Sequence, residues 1–213
     1  MELLLIRHGL PIRREIDEGA ANPELSEAGH RQAALLGEYL GEEHIDAVYA
    51  SPMRRAHQTA IPTAQAHELD LVLEPGVAEF DRHSNEYVPV EELKAAGDPR
   101  WEQMLAGTYD PGSDEDRHEF EERVLDVVER IIGDHSGENV AVVCHGGVIS
   151  TYLAHILKIP PPDGSFNPGF FYPGYTSIHR VAASSKGHRS ILAINETAHL
   201  RGSGLPIGMG RHG

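Results

Sequence analysis

Two short apolar runs, each ending in a histidine followed by glycine, constrain this chain more than any other feature. Residues 3–6 contain only leucine and isoleucine, and the chain then switches to Arg7, His8 and Gly9. Residues 140–143 repeat the pattern and stop at Cys144, His145, Gly146 and Gly147. An unbroken apolar run of this length, bounded by glycine, reads as a strand buried on both faces. Such strands build parallel sheets, whose C-terminal ends share one edge, and α/β folds keep their chemistry at that edge. Two imidazoles far apart in sequence are thereby expected side by side.

Helical and strand patterns alternate between these runs. Ser26 is placed to cap a helix with the apolar stripe Ala33, Leu36 and Leu40, ending at Gly41. Residues 45–50 read as a strand, and Ser51 and Pro52 as the start of a second helix, with Ser51 as a cap. Pro62 is expected to break or bend that helix. Residues 69–73 read as a third strand, whereas about 80–112 show no strand pattern and only short helical pieces, so they read as a small helical cap insertion. Ser113 with Asp116 resembles a capping box for a helix whose face is Phe120, Val124, Val127, Val128 and Ile131, ending at Gly133. A helix carrying Ile149, Leu153 and Ile156 follows His145. Residues 159–174 read as a loop, and residues 177–182 with 190–194 as a hairpin. The 213-residue length fits a single α/β domain over 1–200, and the glycine-rich residues 201–213 read as a mobile tail.

Charge and cysteine usage remove several function classes. With 18 Lys+Arg against 33 Asp+Glu, the net charge of −15 argues against a broad nucleic-acid face. The opening apolar run is too short for a membrane span and is interrupted by Arg7 where a signal peptide would continue, so neither a membrane partner nor export is expected. The single cysteine, Cys144, excludes an internal disulfide and fits a reducing cytoplasm; its place at a buried strand end makes it a packed thiol. Fourteen histidines alone do not imply metal, because no His-Glu-x-x-His or comparable spacing occurs. No cofactor is expected. The sequence specifies no oligomeric state.

The glycines after His8 and His145 let backbone N–H groups approach a ligand, and the helix beginning near Gly147 points its positive end at the same edge. With Arg7 and Arg55 added, the constellation is an anion site, and guanidinium forks with a helix N-terminus suit a phosphoryl group. Five ordered blocks then resemble the histidine phosphatase superfamily, also called the phosphoglycerate mutase-like family. They are Leu4-Leu5-Ile6-Arg7-His8-Gly9; Leu25-Ser26-Glu27-Ala28-Gly29 with Gln32-Ala33; Ser51-Pro52-Met53-Arg54-Arg55-Ala56 with Gln58-Thr59-Ala60; Val143-Cys144-His145-Gly146-Gly147; and Asn195-Glu196-Thr197-Ala198-His199-Leu200. A second Arg-His-Gly at Arg211, His212 and Gly213 has no strand before it and no helix after it, which shows how little the tripeptide means alone.

The resemblance implies a three-layer α/β/α sandwich on a mostly parallel mixed sheet, and a phosphohistidine intermediate formed without metal. By motif position, His8 is the nucleophile, Arg7, Arg55 and His145 form the phosphate pocket, and Glu79 in Val77-Ala78-Glu79-Phe80 is the general acid and base. Asp81 and Glu86 are nearby rivals for that role, and the family's glycine–tryptophan pattern after the acid is absent. Arg13 and Arg14, in the loop after the first motif, are candidate substrate-binding residues. The expected partner is a small phosphorylated substrate. Hydrolysis is favoured over a mutase-type return of the phosphoryl group, since the insertion is short and lacks an arginine-rich stretch. A silent, ligand-binding family member is the remaining alternative.

Overall fold

The computed structural model describes residues 1–106, 108–109, 115–159 and 171–208, together with the backbone of 211–212. In chain order the elements are β1 (Glu2–Arg7), β2 (Arg14–Glu15), α1 (Glu27–Leu40), β3 (Ala47–Ala50), α2 (Arg54–Ala66), β4 (Leu71–Leu73), β5 (Glu86–Tyr87), α3 (Val90–Ala96), α4 (Pro99–Ala106), α5 (Arg117–Asp134), β6 (Asn139–Cys144), α6 (Gly146–Leu157), β7 (Ile178–Ala183), β8 (Arg189–Glu196), β9 (Pro206–Gly208) and β10 (Arg211–His212).

A six-stranded sheet in the order β4-β3-β6-β1-β7-β8 forms the middle layer. β4, β3, β6 and β1 run parallel, and β7 and β8 add antiparallel neighbours at one side. Side chains alternate across a strand, so each apolar run feeds two cores. Leu3, Leu5, Val140 and Val142 pack with Phe120, Val124, Val128 and Ile131 of α5 and Ile149 and Leu153 of α6. Leu4, Ile6, Ala141 and Val143 pack with Leu36 and Leu40 of α1 and Ala56, Ala60 and Ala64 of α2. The chain is thus a three-layer α/β/α fold on a mostly parallel sheet.

Several local expectations shift. α2 runs through Pro62 without ending, and its N-cap is Met53, with Ser51 engaged elsewhere. The Pro62 ring finds room because Gly37 of α1 lies against it; a Cβ at Gly37 would sit 2.7 Å from the Pro62 Cβ. The α5 capping box is Asp116 with Glu119, not Ser113 with Asp116, and the helix extends one residue past Gly133. The region around 80–112 does contain a strand, since β5 pairs with β2. Two-residue strands of charged and aromatic residues leave no alternation to read. Leu205 and Ile207 of the expected tail are 4% and 7% exposed, packing beside Leu200, so that part of it belongs to the folded body. Ser113, residues 110–112 of the expected insertion, residues 160–170 of the expected loop, and Met209, Gly210 and Gly213 of the tail lie outside the described residues.

The α1–α2 contact makes a paired prediction. Gly37→Ala forces a methyl into Pro62 and should destabilise the protein by about 1–3 kcal/mol. Gly133→Ala, in α5 where an added Cβ meets nothing, should stabilise by about 0.5–1 kcal/mol. Urea titrations followed by circular dichroism measure both. A destabilised Gly133→Ala protein, or an unaffected Gly37→Ala protein, would contradict this packing.

Candidate active site

Strand register brings the two histidines together. Arg7 of β1 lies opposite Cys144 of β6, and the His8 N–H continues the ladder to the Cys144 carbonyl at 3.0 Å. Both chains leave the sheet one residue later, with ring centroids of His8 and His145 5.2 Å apart. On the other side of β6, the Ser51 N–H donates to the Val143 carbonyl at 3.0 Å, so β3 delivers Ser51 to the same edge. The His8 carbonyl in turn accepts from Thr176 N–H at 3.4 Å.

Motif residues that touch no reacting group hold this edge in place. Gly9 N–H donates to Thr59 Oγ1 at 2.9 Å, and that hydroxyl donates to the Arg55 carbonyl at 2.6 Å, so the loop after His8 is tied to the first turn of α2. Leu10 N–H donates to Gln32 Oε1, and Leu25 N–H to Gln58 Oε1, each at 2.7 Å. Gly29 lets the loop lie on α1, since a Cβ there would stand 2.1 Å from the Leu10 carbonyl oxygen. Asn195 Oδ1 accepts from Gly174 N–H at 2.7 Å, and His199 Nε2 lies 2.9 Å from the Thr176 hydroxyl, fixing the loop that covers His8.

His8 is 3% exposed, and its Nδ1 lies 2.8 Å from the Gly9 carbonyl oxygen. A carbonyl only accepts, so Nδ1 carries the proton and the Nε2 lone pair is free for nucleophilic work. Burial and then the positive charges of Arg55 and Arg7 push the His8 pKa well below its ordinary value, which keeps the imidazole neutral. His145 is fully buried and is pushed down by the same burial, then by Arg55, His8 and Arg7. Its Nε2 lies 2.8 Å from Ser51 Oγ, which also accepts the Met53 N–H at 3.3 Å. The Ser51 hydroxyl can donate its proton to Nε2, and in that tautomer the His145 proton sits on Nδ1.

The cations are buried as deeply. Arg7 donates through Nη1 to the Pro173 carbonyl at 2.6 Å, with its guanidinium carbon 4.4 Å from the Tyr175 ring centroid. Arg55, 1% exposed, has its guanidinium carbon 4.6 Å from the Tyr87 ring centroid. Among the described residues, Arg7 Nε, Arg55 Nε and Nη1, and His145 Nδ1 are buried without a hydrogen-bond partner. Buried donors left unpaired cost stability, and a group of them around one nucleophile is an oxyanion site. Arg54, the neighbour of Arg55, faces outward and pairs with Glu24.

Glu79 follows the short turn Pro75–Val77 and reaches the N-terminus of α6, where its Oε2 accepts the Gly147 N–H at 2.7 Å. Gly147 makes room for it, since a Cβ there would fall 2.3 Å from Glu79 Oε1. Arg123 of α5 holds the turn by donating through Nη1 to the carbonyls of Gly76 and Ala78 at 2.8 and 3.0 Å. Burial raises the Glu79 pKa, Asp81 adds to the rise, and the N–H groups of Phe80 and Gly147 and the charge of Arg55 oppose it.

The structure therefore brings Arg7, His8, Arg55, Glu79 and His145 to one edge. Arg13 lies at the surface and pairs with Glu15 and Glu92, and Arg14 is an exposed residue of β2. Burial pushes the Cys144 thiol well above its ordinary pKa, in keeping with a packed thiol. Sequence reasoning assigned Ser51 to helix capping, weighed Tyr87 as a pocket-lining or core aromatic, and left Tyr175 without a role. Ser51 was marked by its place after a strand and in the third motif block, neither of which names His145 as its partner. The two tyrosines, with ring centroids 6.5 and 6.2 Å from His8, lie in segments without readable periodicity.

Comparison with known proteins agrees with this geometry. Residues 3–197 match the model of the histidine phosphatase superfamily, branch 1, and the chain belongs to that family. Phosphoserine phosphatase 1 of Hydrogenobacter thermophilus is 32% identical over 207 residues, covering 94% of each protein. The metal-independent phosphoserine phosphatase of Arabidopsis thaliana is 32% identical over 164 residues, 74% of this chain and 69% of that protein. Among solved structures, a mycobacterial glucosyl-3-phosphoglycerate phosphatase superposes with a TM-score of 0.70 at 22% identity, covering 92% of this chain and 99% of the other. The chain is accordingly an enzyme of the phosphatase class.

Two outcomes test the site directly. Ser51→Ala removes the partner of His145 Nε2 and should weaken binding of inorganic phosphate roughly 5- to 100-fold, the consequence of freeing the tautomer of a buried donor; calorimetric titration measures it, and unchanged affinity would dismiss the Ser51 role. Acidification should unfold the protein progressively. His179 and His199 are pushed down to about 4 by burial, and His8 and His145 move the same way. The unfolded chain then binds more protons below the ordinary histidine pKa, so stability is full above about pH 6.5 and falls toward pH 4. Urea midpoints measured at pH 7, 6, 5 and 4 check this.

Proposed function

We propose that this chain hydrolyses small phosphomonoesters through a phosphohistidine on His8, with water as acceptor and no metal. The observation that carries the reading is a tautomer-fixed, neutral His8 beside the unpartnered donors of Arg7, Arg55 and His145. The two guanidinium groups supply the positive charge that phosphoryl transfer requires. Phosphoserine, named for two of the relatives, is the first substrate to assay. A free, buried Cys144 supports placement in the cytoplasm.

In the first step the Nε2 lone pair of His8 attacks phosphorus in line with the ester oxygen. The bond to that oxygen breaks, and Glu79 gives its proton to the departing alkoxide. Arg7, Arg55 and His145 Nδ1 hold the three non-bridging oxygens as charge moves among them. In the second step the Glu79 carboxylate takes a proton from water, the water oxygen attacks phosphorus, and the P–N bond breaks. Inorganic phosphate leaves and both residues return to their starting states. The raised Glu79 pKa favours the protonated form needed first.

Rapid acid-free quenching during turnover should trap an acid-labile, base-stable phosphoryl group on His8, and activity should survive chelator. In Glu79→Gln protein, turnover of alkyl phosphates should fall roughly 10²–10⁴-fold, whereas nitrophenyl phosphate should still give a first-turnover burst of nitrophenol. Label on serine or cysteine, or loss of activity in chelator restored by a divalent metal, would refute the mechanism.

A further inference from the structure

Asp81 lies two residues beyond Glu79, and none of the steps above uses it. Its Oδ1 accepts from Arg55 Nη2 at 2.8 Å, and the carboxylate is 23% exposed, against 1% for the guanidinium it holds. The guanidinium also lies over the face of Tyr87, which restrains its plane without bonding any N–H. Asp81 is thus the carboxylate that grips one corner of the fork, while Nε and Nη1 stay unpartnered. A planar guanidinium held at one nitrogen and covered on a face has little freedom to rotate, so its remaining donors point in a fixed direction.

The backbone around Asp81 is fixed as well. Arg82 N–H donates to the Glu79 carbonyl at 3.2 Å, and Ser84 N–H donates to the Asp81 carbonyl at 3.0 Å. Ser84 is buried, and its carbonyl accepts the Ala21 N–H at 2.7 Å. One turn therefore aims two carboxylates at different groups: Glu79 at the start of α6, and Asp81 at Arg55 on α2.

We propose that Asp81 is a positioning residue that orients Arg55 so its free Nε and Nη1 meet the phosphoryl oxygens, and that it is not the proton donor. The inference rests on the phosphomonoesterase reading for its substrate but not on the covalent intermediate. Asp81 also bears on the acid. The groups facing Glu79 are Asp81 and the Phe80 N–H on its own turn, Arg55 on α2, the Gly147 N–H at the start of α6, and Cys144 at the end of β6. Removing the Asp81 charge takes away the anion that resists ionisation of Glu79 and leaves Arg55 to favour it.

The test compares Asp81→Asn with wild type and Glu79→Gln in binding of inorganic phosphate by calorimetry, and in kcat/KM for an alkyl and a nitrophenyl phosphate. Asp81→Asn should bind phosphate roughly 10- to 100-fold more weakly, the effect of losing a charge-assisted bond. It should lose the same factor in kcat/KM on both esters, whereas Glu79→Gln loses selectively on the alkyl ester. The alkaline limb of its kcat/KM profile should move to lower pH. A loss confined to the alkyl ester with wild-type phosphate affinity would make Asp81 the donor and overturn the proposal, and so would wild-type behaviour throughout. Should Asp81→Asn fail to fold, Asp81→Glu keeps the charge while displacing the guanidinium. That variant is expected to weaken phosphate binding to an intermediate degree, and unchanged affinity there overturns the proposal. Weakened phosphate binding in a protein that forms no phosphohistidine would leave Asp81 in place and refute the covalent mechanism alone.

Discussion

Everything at the site depends on the parallel pairing of β1 with β6. The ladder carries Arg7 opposite Cys144 and extends one hydrogen bond further, to His8. A slip of one residue would turn Leu3 and Leu5 into the core that holds Leu4 and Ile6, and would send His8 to the opposite face of the sheet. The two cores therefore specify the register, and the register specifies which imidazoles meet. Ser51 enters by the same route through β3, so the proposed nucleophile His8, the proposed phosphate-binding His145 and that histidine's hydroxyl partner all take their positions from one sheet.

Burial at this edge then does two opposite things. It favours the neutral form of every ionisable group, which lowers an imidazole pKa and raises a carboxyl pKa. His8 is kept uncharged and Glu79 is biased toward its protonated form by the same low-dielectric surroundings. Those are the two states that an attacking nitrogen and a departing alkoxide require. The arginines cannot escape by losing a proton. They are held by contacts that use only part of their donor set: Pro173 and Tyr175 for Arg7, Asp81 and Tyr87 for Arg55. What is left over has the shape and charge to receive a dianion.

The central sheet and the α1, α5 and α6 faces could be read from sequence because buried parallel strands and amphipathic helices carry strong periodic patterns. Arg7, His8 and His145 stood at the ends of such patterns, Arg55 and Glu79 were visible only through the resemblance, and the structure gathers all five. The motif residues Gln32, Gln58, Thr59, Asn195 and His199 were visible as a resemblance, but their work as clamps on backbone N–H and hydroxyl groups emerges only in three dimensions. Pro62 does not end α2, because the helix-breaking rule is local, whereas the space for its ring comes from Gly37 on another helix. Ser51 misled for the same reason: a serine before a helix reads as a cap, and only the adjacent strand reveals His145 as its partner. Tyr87, Tyr175 and β5 lie in irregular segments where spacing carries no information.

The proposed phosphoryl pocket and the proposed proton donor are built by different means. Arg7, His8 and His145 are placed by strands that are buried on both faces and cannot move without disrupting the core. Glu79 sits on a turn, and side-chain and helix-terminal contacts hold it there: Arg123 on two carbonyls, the Gly147 N–H on the carboxylate, and the hydrogen bonds of the following turn. In the proposed mechanism the ester oxygen and everything attached to it lie on this second side, opposite the attacking nitrogen. Change in the turn and in the segments facing it can therefore alter the group accepted without disturbing the chemistry at phosphorus.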